Sequence, residues 1–366
     1  MDLLQKRARY RRFWQPSLKG EGGYLSVVSP ISDNGVLPYL LEPPVSLEEQ
    51  WLSVDYAVKR AEADDSNLYY GLDAIHVERV HFGPGVQAAM LGAPYTLKEN
   101  TVWFNMDPPI KCWDPIPVLM TDREHELYKA IITHTRALCD ASKGRYAVAV
   151  TDIGGQMDVL YMLRGSELLE DLIDYPNEVS TALEKLDNDF IDLFTTLCDI
   201  IGPTGCGYTG WMPVISDVPW YPLQCDISVM ISPEMFECFV LPSLDRLSSV
   251  TGQSIYHLDG PGQIRHLDML LSLKYIHAIQ WVPLPAAIVG SQGLVNRSFI
   301  DKMSLDIYNR VLAAGKKLVL LGVEPSQVPV VFSEVGCDGV FIQANCKTRR
   351  DADELVAYAQ KNWIRC

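Results

Sequence analysis

From about residue 145 onward the chain alternates short apolar runs with amphipathic segments. That alternation limits its possible folds more than any other feature. The runs are Tyr146–Asp152, Gly207–Trp211, Ser254–Asp259, Ile276–Val282, Lys317–Val323 and Gly339–Ala344. Each is short and apolar, as expected of strands buried on both faces. Between them, Ser232 followed by Pro233 reads as a helix cap with a first-turn proline. Phe236, Val240, Leu244 and Leu247 keep helical spacing, with a kink expected at Pro242. Arg349–Ala359 is a second amphipathic helix candidate. Alternating strand and helix predicts a parallel sheet, either closed as a (β/α)8 barrel or open and doubly wound. Earlier strand candidates at Tyr24–Ser29, Ile75–Phe82 and Val102–Asn105 supply enough strands to close a ring. No GxGxxG or GxxxxGK[ST] segment follows any of the runs, which weighs against a nucleotide-binding open sheet. The expectation is an α/β fold, a (β/α)8 TIM barrel over residues 71–366 with residues 1–70 as an N-terminal extension packed on it.

Composition narrows the function classes. With 31 Lys and Arg against 46 Asp and Glu the net charge is −15, so a surface that tracks nucleic acid is not expected. The nine cysteines, at 112, 139, 198, 206, 225, 238, 337, 346 and 366, are odd in number, irregularly spaced and without a CxxC pair. That suits a reducing cytosol better than a disulfide framework. The N-terminus is basic but lacks a signal-peptide core, and no apolar run nears the ~20 residues a membrane span needs. A cytoplasmic protein with no membrane association is expected.

In a barrel, chemistry collects where strands end. Ser254–Asp259 closes on His257-Leu258-Asp259, with His257 and Asp259 on one face. That pair can share a metal or act as acid and base; the alternative is a histidine satisfied by neighbours beside a turn-capping aspartate. Asp152 ends its run before Gly154-Gly155 and Gln156, while Gln280 and Trp281 lie near the end of theirs. Glu324 follows Leu318–Val323, and Cys346 follows Gly339–Ala344 just before a basic stretch where a thiolate gains stability. Gln224-Cys225-Asp226 adds an acid and a thiol ahead of the Ser232 cap. Trp103, Trp113, Trp211 and Trp220 offer flat apolar walls for a planar ligand. Asp226, His257, Asp259 and Glu324 are the catalytic candidates. Asp152, Gln156, Trp211, Gln224, Gln280 and Trp281 are the substrate-binding candidates.

At these residues the chain resembles the uroporphyrinogen decarboxylase superfamily, which includes corrinoid- and coenzyme M-dependent methyltransferases. The segments that carry the resemblance are QCDISVMISPEMFECFVLPSLDRL, YHLDGPG, VEP at 323–325 and QANC at 343–346, with TDIGGQMDVLYMLRG at 151–165 and FGPG at 82–85. The resemblance implies a barrel and, in the methyltransferases, zinc held by His-x-Cys plus a later Cys. His257 and Cys346 match two of those positions, and Asp259 stands where the first Cys would be. The resemblance implies Zn²⁺ at His257, Asp259 and Cys346, harder and more Lewis acidic than a thiolate site, and Glu324 at its strand end is the other acid that could complete the set with His257 and Cys346. The decarboxylase's arginine segment has no match; Arg7, Arg9, Arg11 and Arg12 occur instead in ARYRRFW.

The function expected is metal-assisted methyl transfer or demethylation of a small methylated substrate. The methyl group would pass to a separate corrinoid protein, since the chain has no DxHxxG cobalamin-binding segment. The alternative is a metal-free decarboxylase or lyase that acts on a small carboxylate through Asp and His acid–base chemistry.

Overall fold

The apolar runs pair side by side as the alternation predicts, but their ladders do not close into a ring. The computed structural model describes residues 3–16, 19–31, 38–104, 107–283 and 298–364, so Asn105 and Cys366 lie outside it. The strands are β1 (Tyr24–Pro30), β2 (Leu68–Leu72), β3 (Val77–Arg79), β4 (Tyr95–Leu97), β5 (Val102–Phe104), β6 (Ala147–Ala149), β7 (Tyr221–Leu223), β8 (Ser254–Asp259), β9 (Ile276–Val282), β10 (Lys317–Leu320) and β11 (Val340–Asn345). One seven-stranded sheet runs β2-β1-β11-β10-β9-β8-β7. Its neighbours are parallel except β1 and β2, which are antiparallel.

The remaining strands explain why the ring stays open among the described residues. β3 and β6 form a separate parallel pair, joined toward the rest by a single bridge from Ala149 to Thr209. The Gly207–Trp211 run, expected as a strand, contributes only isolated bridges at Tyr208 and Thr209. The run starting at Val102 forms an antiparallel hairpin with β4, outside the main sheet. An α/β architecture is established; a closed eight-stranded ladder is not. β1, from the stretch expected as an extension, lies inside the sheet between β2 and β11.

Side-chain alternation sorts the sheet into two faces. One core cluster takes Tyr24, Ala147, Ile255, Ala278, Val319 and Phe341 from six strands, with Ile75 just before β3. These residues face one another, and Tyr10, Phe13 and Trp14 from the helix Leu3–Phe13 and its end pack against them. Their neighbours in sequence, such as Leu25, Tyr256, Ile279, Leu318, Leu320 and Ile342, belong to the larger outer core shared with the helices. Period two therefore assigns Ser26, Val77, His257, Gln280, Leu321 and Gln343 to the inner face, one step beyond the apolar plug.

Local sequence accounts for the helices that matter to the site. Ser232 caps its helix by accepting from Met235 N at 3.2 Å. The irregularity expected at Pro242 is realised one turn earlier, as a π turn over Phe236–Val240 before the helix Leu241–Thr251. A π turn leaves room for a residue without a donor, which a regular helix would clash with. Thr348 caps Arg349–Asn362 through Asp351 N at 3.0 Å. The basic N-terminus is structural. Arg9 Nε pairs with buried Asp73 at 2.5 Å, and Arg7 and Arg11 both hold Asp217. No described helix is long and apolar enough to cross a membrane.

Candidate functional site

β8 delivers two polar side chains to the inner face, and the crossover that precedes it, after β7, delivers a third. Asp226, His257 and Asp259 each offer a ligand atom, and those atoms lie within 4.8 Å of one another. Such convergence of two carboxylates and an imidazole is the one group of three or more metal-capable side chains among the described residues.

The second layer orients each member. His257 Nδ1 donates to Gln280 Oε1 across the β8–β9 register. An amide oxygen is only an acceptor, so this bond selects the tautomer protonated at Nδ1 and leaves the Nε2 lone pair outward. Trp211 packs edge-on against the His257 ring, with centroids 5.1 Å apart and planes at 87°. Asp226 follows β7 on a single turn of 3-10 helix, Asp226–Met230. Buried Asp158 fixes that turn, accepting from Asp226 N and Ile227 N at 2.9 Å each. Gly155 makes this approach possible, since a Cβ there would sit 2.3 Å from the Gln224 carbonyl oxygen and 2.6 Å from Asp158 Oδ2. Gly154, at φ 97°, is equally constrained, with Pro84 O 2.3 Å from any Cβ.

The acids crowd one another. Burial pushes Asp152 up to about 6 and Asp226 adds to the shift, against hydrogen bonds from Tyr221 Oη (3.3 Å) and Gly154 N (3.2 Å) to its Oδ1. Burial, reinforced by Asp226, likewise raises Asp158 to about 8. Asp226 itself opens to solvent at the mouth. The surrounding protein raises its pKa, and Asp259 adds to this while His257 opposes it.

Several expected members lie elsewhere, and strand parity explains most of them. Gln343 and Asn345 share the inner parity of Phe341, whereas Cys346 shares the outward parity of Ala344. Cys346 N donates to Val28 O at 2.8 Å, and burial with nearby Asp351 pushes its thiol up to about 11. It does not join the three-residue group. Nor does Glu324, which is exposed in the turn closed by Gln327 N on its carbonyl at 2.8 Å. Cys225, the other nearby thiol, is fully buried with its pKa pushed well up by burial. Trp281 also has the outer parity and donates to Ser304 Oγ at 2.9 Å, away from the site. Gln156 and Gln224 are buried around a crevice of about 10 Å³ beneath the Gly154-Gly155 turn.

Of the four tryptophans considered as walls, Trp211 alone touches the group. Trp220 packs on Trp14 in the inner core, Trp113 lies under Arg164, and Trp103 is exposed on the β4–β5 hairpin. Sequence reasoning missed Asp158 and Arg79. Asp158 acts across 68 residues of chain, and no local pattern marks that contact.

Beside His257 lies a cavity of about 430 Å³, bordered by Ser26, Arg79, Trp211, Gln343 and Asn345. A larger groove of about 800 Å³ between Val118–Arg123 and the helix Pro176–Ile201 holds none of this chemistry.

The donor set fits a divalent cation. One imidazole nitrogen and two carboxylates suit zinc or a harder ion, whereas the two-thiolate pattern of the methyltransferases is not assembled here. No protein-family model matches the sequence, and no curated protein does. Among solved structures the chain is similar to a methyltransferase from Methanosarcina mazei at TM-score 0.61 and 12% identity, covering 97% of this chain and 98% of that one, a likeness of fold.

Proposed function

We propose that the protein is a metal-assisted methyltransferase or demethylase acting on a small methylated substrate, with a separate corrinoid protein as methyl acceptor. The convergence of Asp226, His257 and Asp259 carries this reading. Zinc is the proposed ion, held by His257 Nε2 and the two carboxylates; when bound it would supply Lewis-acid polarisation of the heteroatom that carries the methyl group. The likeness in fold to a methyltransferase supports methyl transfer, and the resemblance of several segments to the corrinoid-dependent enzymes is the ground for the acceptor.

The chain's own residues set up the rest. Gln280 accepts from His257 Nδ1, which orients the ring and leaves Nε2 as the nitrogen that would meet a metal. Asp158 pins the backbone that carries Asp226. Asp152, raised to about 6, keeps a protonated fraction below neutrality, and Oδ1 is taken by Tyr221 and Gly154, which leaves Oδ2 to carry that proton. A carboxyl so poised can protonate the demethylated leaving atom. It is also the observation that favours the second reading, a metal-free lyase in which Asp152, Asp226 and His257 exchange protons.

The test is turnover of a panel of methyl ethers, methyl thioethers and methylamines with free reduced cobalamin as acceptor, followed by mass spectrometry and cobalamin absorbance. The methyltransferase reading expects demethylation that needs both cobalamin and divalent metal. Decarboxylation that survives chelation would overturn it in favour of the lyase.

A further inference from the structure

The cavity next to His257 carries a surplus of hydrogen-bond donors. Arg79 extends from β3 on the inner parity of Ile75 and Val77. Its guanidinium makes one hydrogen bond, Nη1 to Trp211 O at 3.2 Å, and no ion pair among the described residues. In a chain with 46 acids against 31 Lys and Arg, an arginine without a carboxylate partner at a strand end is notable. Arg79 itself is exposed to solvent at the end of its strand.

Two more groups bordering the cavity lack partners. Ser26 Oγ is buried and unpartnered, and so is Trp211 Nε1. Arg79 is exposed and its remaining N–H groups are open to solvent or to a ligand, whereas the Trp211 indole N–H is a donor only and buried, so it needs an acceptor supplied from outside the chain. Leaving such a donor buried and unpaired costs roughly 1–3 kcal/mol. Two carboxylates, Asp64 and Glu78, line the same cavity and are the charge an anion must meet beside Arg79. Glu78 is held by His76, whose other ring nitrogen meets Asp65 at 3.2 Å. Asp64 borders the cavity with its pKa raised by burial and by Glu78.

We propose that this cavity binds an oxyanion on the substrate, a carboxylate or its sulfonate or phosphate counterpart, with Arg79 as its principal partner and Ser26 and Trp211 as further donors. The assignment rests on the methyl-transfer reading only in placing the reacting end of the same substrate at His257. The Trp211 ring spans the two places, touching His257 and bordering the cavity. A substrate anchored there by its anion would present a methyl-bearing atom toward the three ligands.

Binding is measured by calorimetry on the full chain at pH 7, with sodium methoxyacetate, methanesulfonate and inorganic phosphate as probes. Neutral methoxyacetamide and cationic choline are the controls. Methoxyacetate should bind at least about tenfold more tightly than its amide, the difference a charge-assisted bond supplies. Arg79→Gln should remove that preference, Arg79→Lys should keep part of it, and Ser26→Ala should weaken it severalfold. The rank of the three anions identifies which oxyanion the site prefers. His257→Ala should lose metal yet keep anion binding, so failure of the metal reading shows separately from failure of this one. Equal affinity for methoxyacetate and methoxyacetamide, tighter binding of choline, an unchanged preference in Arg79→Gln, or no binding of any anion below about 10 mM would each overturn the proposal.

Discussion

Two strand ends within the same sheet differ in what they hold: β8, which ends in His257, Leu258 and Asp259, and β11, which ends in Asn345 before Cys346. Both place metal-capable side chains at a strand terminus. At β8 the side chains have the parity of Ile255, which faces inward, and meet Asp226. At β11 the thiol has the parity of Ala344, which packs outward. One residue of register separates a ligand from a small buried hydrophobe.

The sharpest way to break this comparison is to remove a ligand from the β8 end. His257→Ala should cut divalent-metal affinity by more than the roughly 10–100-fold that loss of a supporting residue costs, and turnover should fall with it. Equilibrium titration with zinc measures the first, and the demethylation assay the second. An unchanged affinity would return the site to a proton-transfer pair.

Gln280→Leu tests whether the tautomer matters. It keeps the side-chain volume near that of glutamine but removes the acceptor of His257 Nδ1–H. Metal affinity should fall within about 10–100-fold, a smaller loss than in the ligand variant. A loss as large as that of His257→Ala would show instead that the inner face had collapsed.

Asp152→Asn should stabilise the protein above neutrality. Its pKa is raised from 3.8 to about 6, so the folded state binds this proton more tightly than the unfolded state does. Stability therefore falls as pH rises between those two values, and above them the wild type bears a cost of roughly 1–3 kcal/mol. The asparagine keeps an Oδ1 acceptor for Tyr221 and Gly154 without the charge. Urea denaturation at pH 4 and pH 8 should show the variant gaining only at the higher pH. A gain of equal size at both would mean that charge is not the cause.

The smallest effects belong to the β11 end. Cys346→Ala should leave metal affinity within about twofold and lower stability by about 1 kcal/mol, as for loss of a small buried side chain. A larger metal effect would place the thiol on the inner face after all.

Much of this was legible in the chain itself. The strand runs ending in His257-x-Asp259 and in Gln280 gave both position and parity, because strictly alternating residues fix their face without knowledge of a partner. Asp226 was identifiable as an acid just ahead of the Ser232 cap. The same parity rule, applied from Phe341 through Gln343 and Asn345, turns Cys346 outward. β7 was obscured by Pro222, a poor strand former that sits there as the partner of Ile255. The contacts of Asp158 and of Arg79, which bonds Trp211 O rather than a carboxylate, join residues far apart in sequence, and no local signal announces them. The open ladder has a similar origin. Gly207–Trp211 reads as a strand locally, yet it forms only single bridges.

On the proposed reading the β8 end, completed by Asp226, holds the ion and the β11 end does not. The most direct measurement is zinc stoichiometry and affinity in two variants side by side, Asp226→Ala and Cys346→Ala, each purified without chelator and then titrated. The account predicts near-stoichiometric zinc in Cys346→Ala and its loss in Asp226→Ala. The reverse result, with zinc kept by Asp226→Ala and lost from Cys346→Ala, would contradict it.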